Sequence, residues 1–187
     1  ATLKIFYADK IFLIDPYLEE KNKFGCFADI PGKPFMTADN VKNQIPAPIC
    51  ELPFSKEKIL ENVDYYLLTH IHPDHIDMNF ADGTVGKFLD KKISIIAQDE
   101  NDAKILQKSD FSDIKILSEN AMQIGKIKIT KTPALHGKIE PICEACGVIF
   151  QAEGEKTLYI AGDTIWFDGV KNTLKKRILN KKIKEVK

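Results

Sequence analysis

Three of the four histidines in the chain fall within six residues, in the string Thr69-His70-Ile71-His72-Pro73-Asp74-His75, and no other stretch constrains the fold so tightly. Pro73 lacks an amide hydrogen and its ring clashes with a preceding helical turn, so no helix runs through the cluster. The segment is extended or turned, and in an extended segment His70 and His72 point to the same side. Two imidazoles on one side make half of a tetrahedral metal site. Asp74 and His75 follow on the turn and project elsewhere, where they can offer a carboxylate and an imidazole to a neighbouring ion. Immediately upstream, VDYYLLT (residues 63–69) reads as a buried strand. The cluster therefore falls at a strand's C-terminal end, where α/β sheets carry their sites.

Around this point the chain alternates short strands and helices. LKIFY (3–7) and IFLI (11–14) read as a hairpin across Ala8-Asp9-Lys10, closed by Asp15-Pro16. SKEKILE (55–61) offers a serine N-cap before good helix formers, and residues 99–108 form an acid-started helix between strands at 93–97 and 114–117. In IGKIKITKT (124–132), Ile127 and Ile129 face one way and Lys126 and Lys128 the other, the period of a strand with one wet face. Residues 147–152 and 157–161 read as a second hairpin, and a helix is expected after Trp166. Residues 19–53 hold five of the nine prolines and read as a long surface loop or lid.

The remaining histidine, His136, stands after the 124–132 strand, and Asp163 stands in the turn Gly162-Asp163-Thr164 after the last one. A lone histidine after a strand is most often structural. Beside the first cluster, three strand ends that deliver His, His and Asp side chains favour a metal. The H-x-H-x-D-H string, the later strand-end histidine and the later strand-end Gly-Asp resemble the metallo-β-lactamase superfamily of metallohydrolases. The spacing and the Ile14-Asp15-Pro16 turn are most similar to its ascorbate-phosphate-lactonase-like branch. The resemblance covers roughly residues 1–170 and implies an α/β fold, an αββα sandwich with a metal pair, usually zinc, at one edge. By the same resemblance His70, His72 and His136 would hold the first ion, Asp74 and His75 the second, and Asp163 would bridge them.

A divalent ion with an open position lowers the pKa of its bound water to about 7, so the expected nucleophile is metal-bound hydroxide, with Asp74 placed to orient the water or accept its proton. The expected substrate is a small ester, lactone or phosphate-bearing metabolite. Imidazole-rich ligation favours zinc, while the carboxylates leave manganese or iron open. Relatives supply a further histidine to the second ion after the Asp163 motif, and no histidine follows His136 here. The expectation is thus a single domain, 1–187, incomplete in its C-terminal half. Its alternative reading is a noncatalytic member holding one metal or none, and self-association through an open sheet edge would cover the gap.

Lysine plus arginine and aspartate plus glutamate both number 27, which removes the electrostatic case for a nucleic-acid or anionic-membrane partner. No apolar run spans a bilayer, and four sparse cysteines point to a reducing, cytoplasmic setting. The basic stretch 171–187 reads as a helix whose apolar stripe covers the sheet, with a basic face for an anionic surface as the alternative. Cys143 and Cys146 read as part of a loop, and Trp166 and Phe167 as packing for the following helix, with a place on the active-site wall as the alternative. Asp15 is equally a turn residue or a hydrogen-bond acceptor supporting the site.

Overall fold

A computed structural model describes residues 2–29, 41–136 and 145–176. The N-terminal hairpin pairs β1 (Leu3–Tyr7) with β2 (Lys10–Ile14), in register from Leu3 opposite Ile14 to Tyr7 opposite Lys10. Parallel pairing then extends the sheet through β3 (Tyr65–Leu67), β4 (Ser94–Ala97) and β5 (Ile114–Ile116). Parallel strands need crossovers; the two helices expected from the sequence provide those from β2 to β3 and from β4 to β5, while residues 68–93 cross from β3 to β4 without a helix. Helix α1 (Lys56–Leu60) starts where the Ser55 hydroxyl accepts the Lys58 N–H, and α2 (Glu100–Lys108) where the Asp99 carboxylate accepts the Asn101 and Asp102 N–H groups.

A second, antiparallel sheet runs in the order β6 (Met122–Ile124), β7 (Ile127–Pro133), β8 (Cys146–Gln151) and β9 (Leu158–Ile160). Strand β6 was not expected. The run beginning at Ile124 turns at Gly125, whose φ of 54° suits glycine, and the residues before it pair back onto β7. The outward lysines Lys126 and Lys128 and the buried Ile127 and Ile129 follow the expected alternation.

The first sheet is apolar on both faces. Leu13, Tyr66, Leu68, Ile95 and Ala97 pack with Ala103 and Leu106 of α2 on one side. Phe12, Ile14, Leu67 and Ile96 pack with Ile127, Ile129, Val148 and Phe150 of the second sheet on the other. Helix α3 (Asp168–Leu174) lies against β7 and buries Val170, so the layers run helix, sheet, sheet, helix. No helix among the described residues is long and apolar enough to cross a membrane. The expectations for Cys143 and for residues 177–187 lie outside the described residues.

Candidate metal centre

Strands β2, β3, β7 and β9 all point their C-terminal ends at one edge of the sandwich, and the two sheets are joined there by the Cys146 N–H donating to the Thr69 carbonyl at 3.0 Å. Asp15 leaves β2 with a left-handed φ of 46°, which aspartate tolerates better than most residues. Its buried carboxylate accepts three hydrogen bonds: Thr69 N–H to Oδ1 at 2.8 Å, and Thr69 O–H at 2.8 Å and His75 Nδ1 at 2.9 Å to Oδ2. Both readings of Asp15 are thus realised in one residue.

This network assigns ring nitrogens. Because the Thr69 hydroxyl gives its proton to Asp15, it accepts from His70 Nδ1 at 3.1 Å, which leaves the Nε2 lone pair of His70 facing the centre. His75 donates Nδ1–H to Asp15 and likewise turns Nε2 inward. Histidines held this way by a carboxylate or a hydroxyl are oriented for metal binding. His70 Nε2 lies 2.8 Å from His72 Nδ1, and His72 Nδ1 lies 3.3 Å from His136 Nε2. The latter is close to the separation of about 3.3 Å expected for two nitrogens each about 2.0 Å from a tetrahedral ion. On the other side, Asp163 Oδ1 is 3.3 Å from His75 Nε2, and Oδ2 is 3.7 Å from His136 Nε2.

Two donor sets result, His70 with His72 and His136, and His70 with His75 and Asp163, each with its ligand atoms within 4.8 Å of one another. This donor chemistry fits a divalent transition ion. Five of the six sequence-derived residues converge in these sets. Asp74 belongs to neither: its Oδ2 stands 3.9 Å from His75 Nε2 on a partly exposed carboxylate at the rim. Asp163 turns one oxygen to each set, and His70 is common to both.

Burial, with His75 and His72 nearby, pushes the His70 imidazole down to about 2, so it stays neutral and able to ligate. Burial and then His136 lower His72 in the same sense. Burial also works against charge on His75, but the hydrogen bonds with Asp15 and Asp163 outweigh it and raise the ring to about 9. The hydrogen bond from His75 holds Asp163 well below the usual carboxylate range, against its own desolvation. The cluster thus pairs an anionic Asp163 with a protonated His75, beside the neutral rings of His70 and His72.

Thr69 was missed as a site residue because a threonine ending a strand carries no sequence signal apart from its partners. Gly162 was quoted only as part of a turn. Its φ is +61°, and a Cβ there would lie 2.4 Å from the Cys146 carbonyl oxygen and 3.1 Å from Thr69 Cβ, so only glycine lets this turn close against the first sheet and deliver Asp163. Trp166 does not pack under the following helix: it is 69% exposed, and Phe167 takes the N-cap position of α3.

An αββα layering with clustered histidines and an aspartate at one sheet edge is the layering of metallohydrolase-type folds, and the cluster could hold a metal ion. Residues 12–178 match the family model described as the beta-lactamase superfamily domain, and the chain belongs to the metallo-β-lactamase superfamily. It is similar to the UPF0173 protein YddR of Bacillus subtilis, with 34% identity over 178 residues, which are 93% of this chain and 64% of that protein. Among solved structures it resembles an isothiocyanate hydrolase from Delia radicum gut bacteria (TM-score 0.77, 32% identity, covering 94% of this chain and 65% of that one). It also resembles a possible metal-dependent hydrolase from Veillonella parvula (TM-score 0.78, 29% identity, covering 94% and 64%). The chain spans less than two thirds of the length of each of these relatives.

Proposed function

We propose that the protein is a zinc-dependent hydrolase of a small ester, lactone or phosphate-bearing metabolite. The observation that carries this reading is the convergence of four imidazoles and Asp163, with tautomers set by Asp15 and Thr69, beside an open carboxylate at Asp74. The names borne by two of its structural relatives, a hydrolase of isothiocyanates and a possible metal-dependent hydrolase, support the same class.

His70, His72 and His136 would hold one ion, and His75 with Asp163 would form the adjoining face. The chemistry such an ion would supply there is polarisation of a carbonyl or phosphoryl oxygen and acidification of water toward neutral pH. The remaining work falls to the chain. Asp74 accepts the proton of the attacking water, since its carboxylate is exposed enough to release that proton to solvent. Asp163 keeps its charge through the neutral range and holds the His75 and His136 rings in place, while Asp15 fixes the His75 ring through Nδ1–H and Thr69 keeps His70 from presenting an N–H group to the centre.

The test is hydrolysis of an ester, lactone and phosphodiester panel by zinc-loaded protein, with metal content measured per chain. Turnover abolished by chelation and lowered about 100-fold or more by Asp74→Ala, with bound metal retained, is the expected result. Stoichiometric metal without turnover of any panel member would replace this reading with that of a noncatalytic metal-binding member. Two tightly held ions per chain would show that the face formed by His75 and Asp163 holds an ion as firmly as the His70, His72 and His136 site does.

A further inference from the structure

Beyond the metal ligands, the turn that carries them has a second side. Pro73, between His72 and Asp74, also lines a cleft of about 610 Å³ formed by the start of the 17–27 loop and the 77–91 segment. Tyr17, Phe24, Met78 and Phe80 supply its apolar and aromatic surface. The wall is built: Met78 bridges Val85, the Asn79 N–H donates to the Thr84 carbonyl, and the Gly83 N–H donates to the Asn79 carbonyl, which together hold Phe80 at the tip of an ordered turn.

The charges of the cleft are balanced, and Lys87, Glu19, Lys91 and Asp77 have partners. Its lining carries three lysines and three acids. Lys87 pairs with Glu19, Lys91 donates to the Val85 and Gly86 carbonyls, and the buried Asp77 accepts the Lys87 backbone N–H. Tyr17 differs. Its phenol makes no hydrogen bond among the described residues, and Glu19, Asp77 and Asp74 all act on it electrostatically, so it stands between the metal-side turn and the cleft. Burial and then those acids push it up to about 12, so it remains a donor across the physiological range. With Lys87 offsetting Glu19 and the charges of the cleft balanced, the lone phenol donor suits a neutral acceptor.

We propose that this cleft is the specificity subsite of the metal centre, binding an uncharged aromatic or aliphatic portion of the substrate between Tyr17, Phe24, Met78 and Phe80, with the Tyr17 hydroxyl donating to a neutral ether or carbonyl oxygen on it. The proposal rests on the hydrolase reading for its catalytic consequence but not for the binding itself. Apolar side chains give the affinity, and Tyr17 gives the orientation.

The experiment compares wild type, Tyr17→Phe and Phe80→Ala. Phe80 is 76% exposed, so its truncation leaves the core untouched. Zinc-loaded proteins are assayed with ethyl acetate, ethyl phenylacetate and ethyl 4-methoxyphenylacetate. Metal-free proteins are titrated with 4-methoxyphenylacetamide and phenylacetamide by saturation-transfer NMR. Wild type should prefer the methoxy ester through a lower KM. Tyr17→Phe should reduce the methoxy-to-phenyl preference in KM by roughly three- to tenfold, the range set by one hydrogen bond, with little change in kcat for either ester. Phe80→Ala should raise KM for both aromatic esters relative to ethyl acetate. If no ester turns over, yet the amides bind and both variants weaken that binding, the hydrolase reading fails and the subsite stands. Equal substrate ratios in all three proteins together with unchanged or absent amide binding would overturn the subsite, whether or not the esters are hydrolysed.

Discussion

Asp15→Asn is the substitution that tests the site's architecture most directly. The carboxylate is 4% exposed and accepts from Thr69 N–H, Thr69 O–H and His75 Nδ1, so water cannot replace it. An amide keeps the size, and asparagine tolerates the left-handed backbone at this position. Either orientation of the amide nonetheless sets its NH2 against a donor, the Thr69 N–H in one case and the Thr69 O–H with His75 Nδ1–H in the other. At least one buried charge-assisted hydrogen bond is lost, at about 1.5 to 3 kcal/mol. For a chain of this size about 2 to 4 °C accompanies each kcal/mol, so the melting temperature of the metal-free protein should fall by about 3 to 12 °C. His75 also loses the carboxylate that makes it a better ligand and aims Nε2 inward, which should weaken metal binding by about 10- to 100-fold. Calorimetric melting and competition with a chromophoric chelator measure the two effects separately. A folded variant that melts lower but binds metal within about threefold of wild type would refute the orienting role and leave Asp15 as a turn residue alone.

Four further outcomes are expected. His70 and His72 have lowered folded pKa values, so the stability they contribute is full above about 6.5 and is lost as pH falls below it; His75 has a raised one, so its contribution is full below about 6.5 and is lost as pH rises through about 9. On these rings alone, metal-free protein should be most stable near about pH 6.5 in urea titrations, and a midpoint that climbs between about pH 6.5 and 9 would contradict the His75 assignment. Asp102 is fully buried and is raised by that burial and by Asp99 to about 7, so its contribution is full below about 3.9 and lost as pH rises through 7; Asp102→Asn should leave stability nearly unchanged at pH 4 and raise it at pH 8 by up to about 4 kcal/mol at 1.36 kcal/mol per unit. Gly162→Ala should destabilise by more than about 2 kcal/mol and lower metal content together, read from denaturant midpoints and elemental analysis, because the new Cβ meets backbone at 2.4 Å in a left-handed turn. His136→Ala should remove metal while moving the midpoint of metal-free protein by less than about 1 kcal/mol, since the ring is partly exposed and only its contacts in the cluster are lost.

Much of the fold could be read from the sequence because each strand of the first sheet is bounded by strong local signals. Ser55 and Asp99 cap the two helices as their side chains foretell, and the hairpin register follows from the Ala8-Asp9 turn. Strand β6 escaped notice because Met122-Gln123-Ile124 is too short to show a period and acquires its identity only by pairing with β7. The donor residues could be read because Pro73 dictates an extended cluster and because strand ends gather at one sheet edge. What holds them could not: Thr69 acts through Asp15, 54 positions away in sequence, and no local pattern announces a hydroxyl that donates to one residue and accepts from the next. Trp166 shows the opposite failure, an apolar signal assigned to packing on a residue that the fold leaves exposed.

The site also bears on how the two halves of the sandwich hold together. His70, His72 and His75 come from the end of the first sheet, whereas His136 and Asp163 come from strand ends of the second. Between the sheets the joining forces are mostly the apolar layer around Phe12 and Phe150, along with the Tyr7 hydroxyl donating to the Phe150 and Lys156 carbonyls, the Lys131 ammonium donating to the Gln98 carbonyl, and the Cys146–Thr69 backbone bond at the site edge. At the edge itself, the anionic Asp163 faces His75 at 3.3 Å and His136 at 3.7 Å. A cation drawn to donors from both sheets would bind only when both are in place, so its binding free energy is added to their association: at 100 times its dissociation constant it contributes about 2.7 kcal/mol. That is a large share of the 5 to 15 kcal/mol that separates a folded domain from its unfolded chain. Metal binding and sheet packing should accordingly rise and fall together, and the residues that join them, Asp15, Thr69 and Gly162, stand where the two sheets meet.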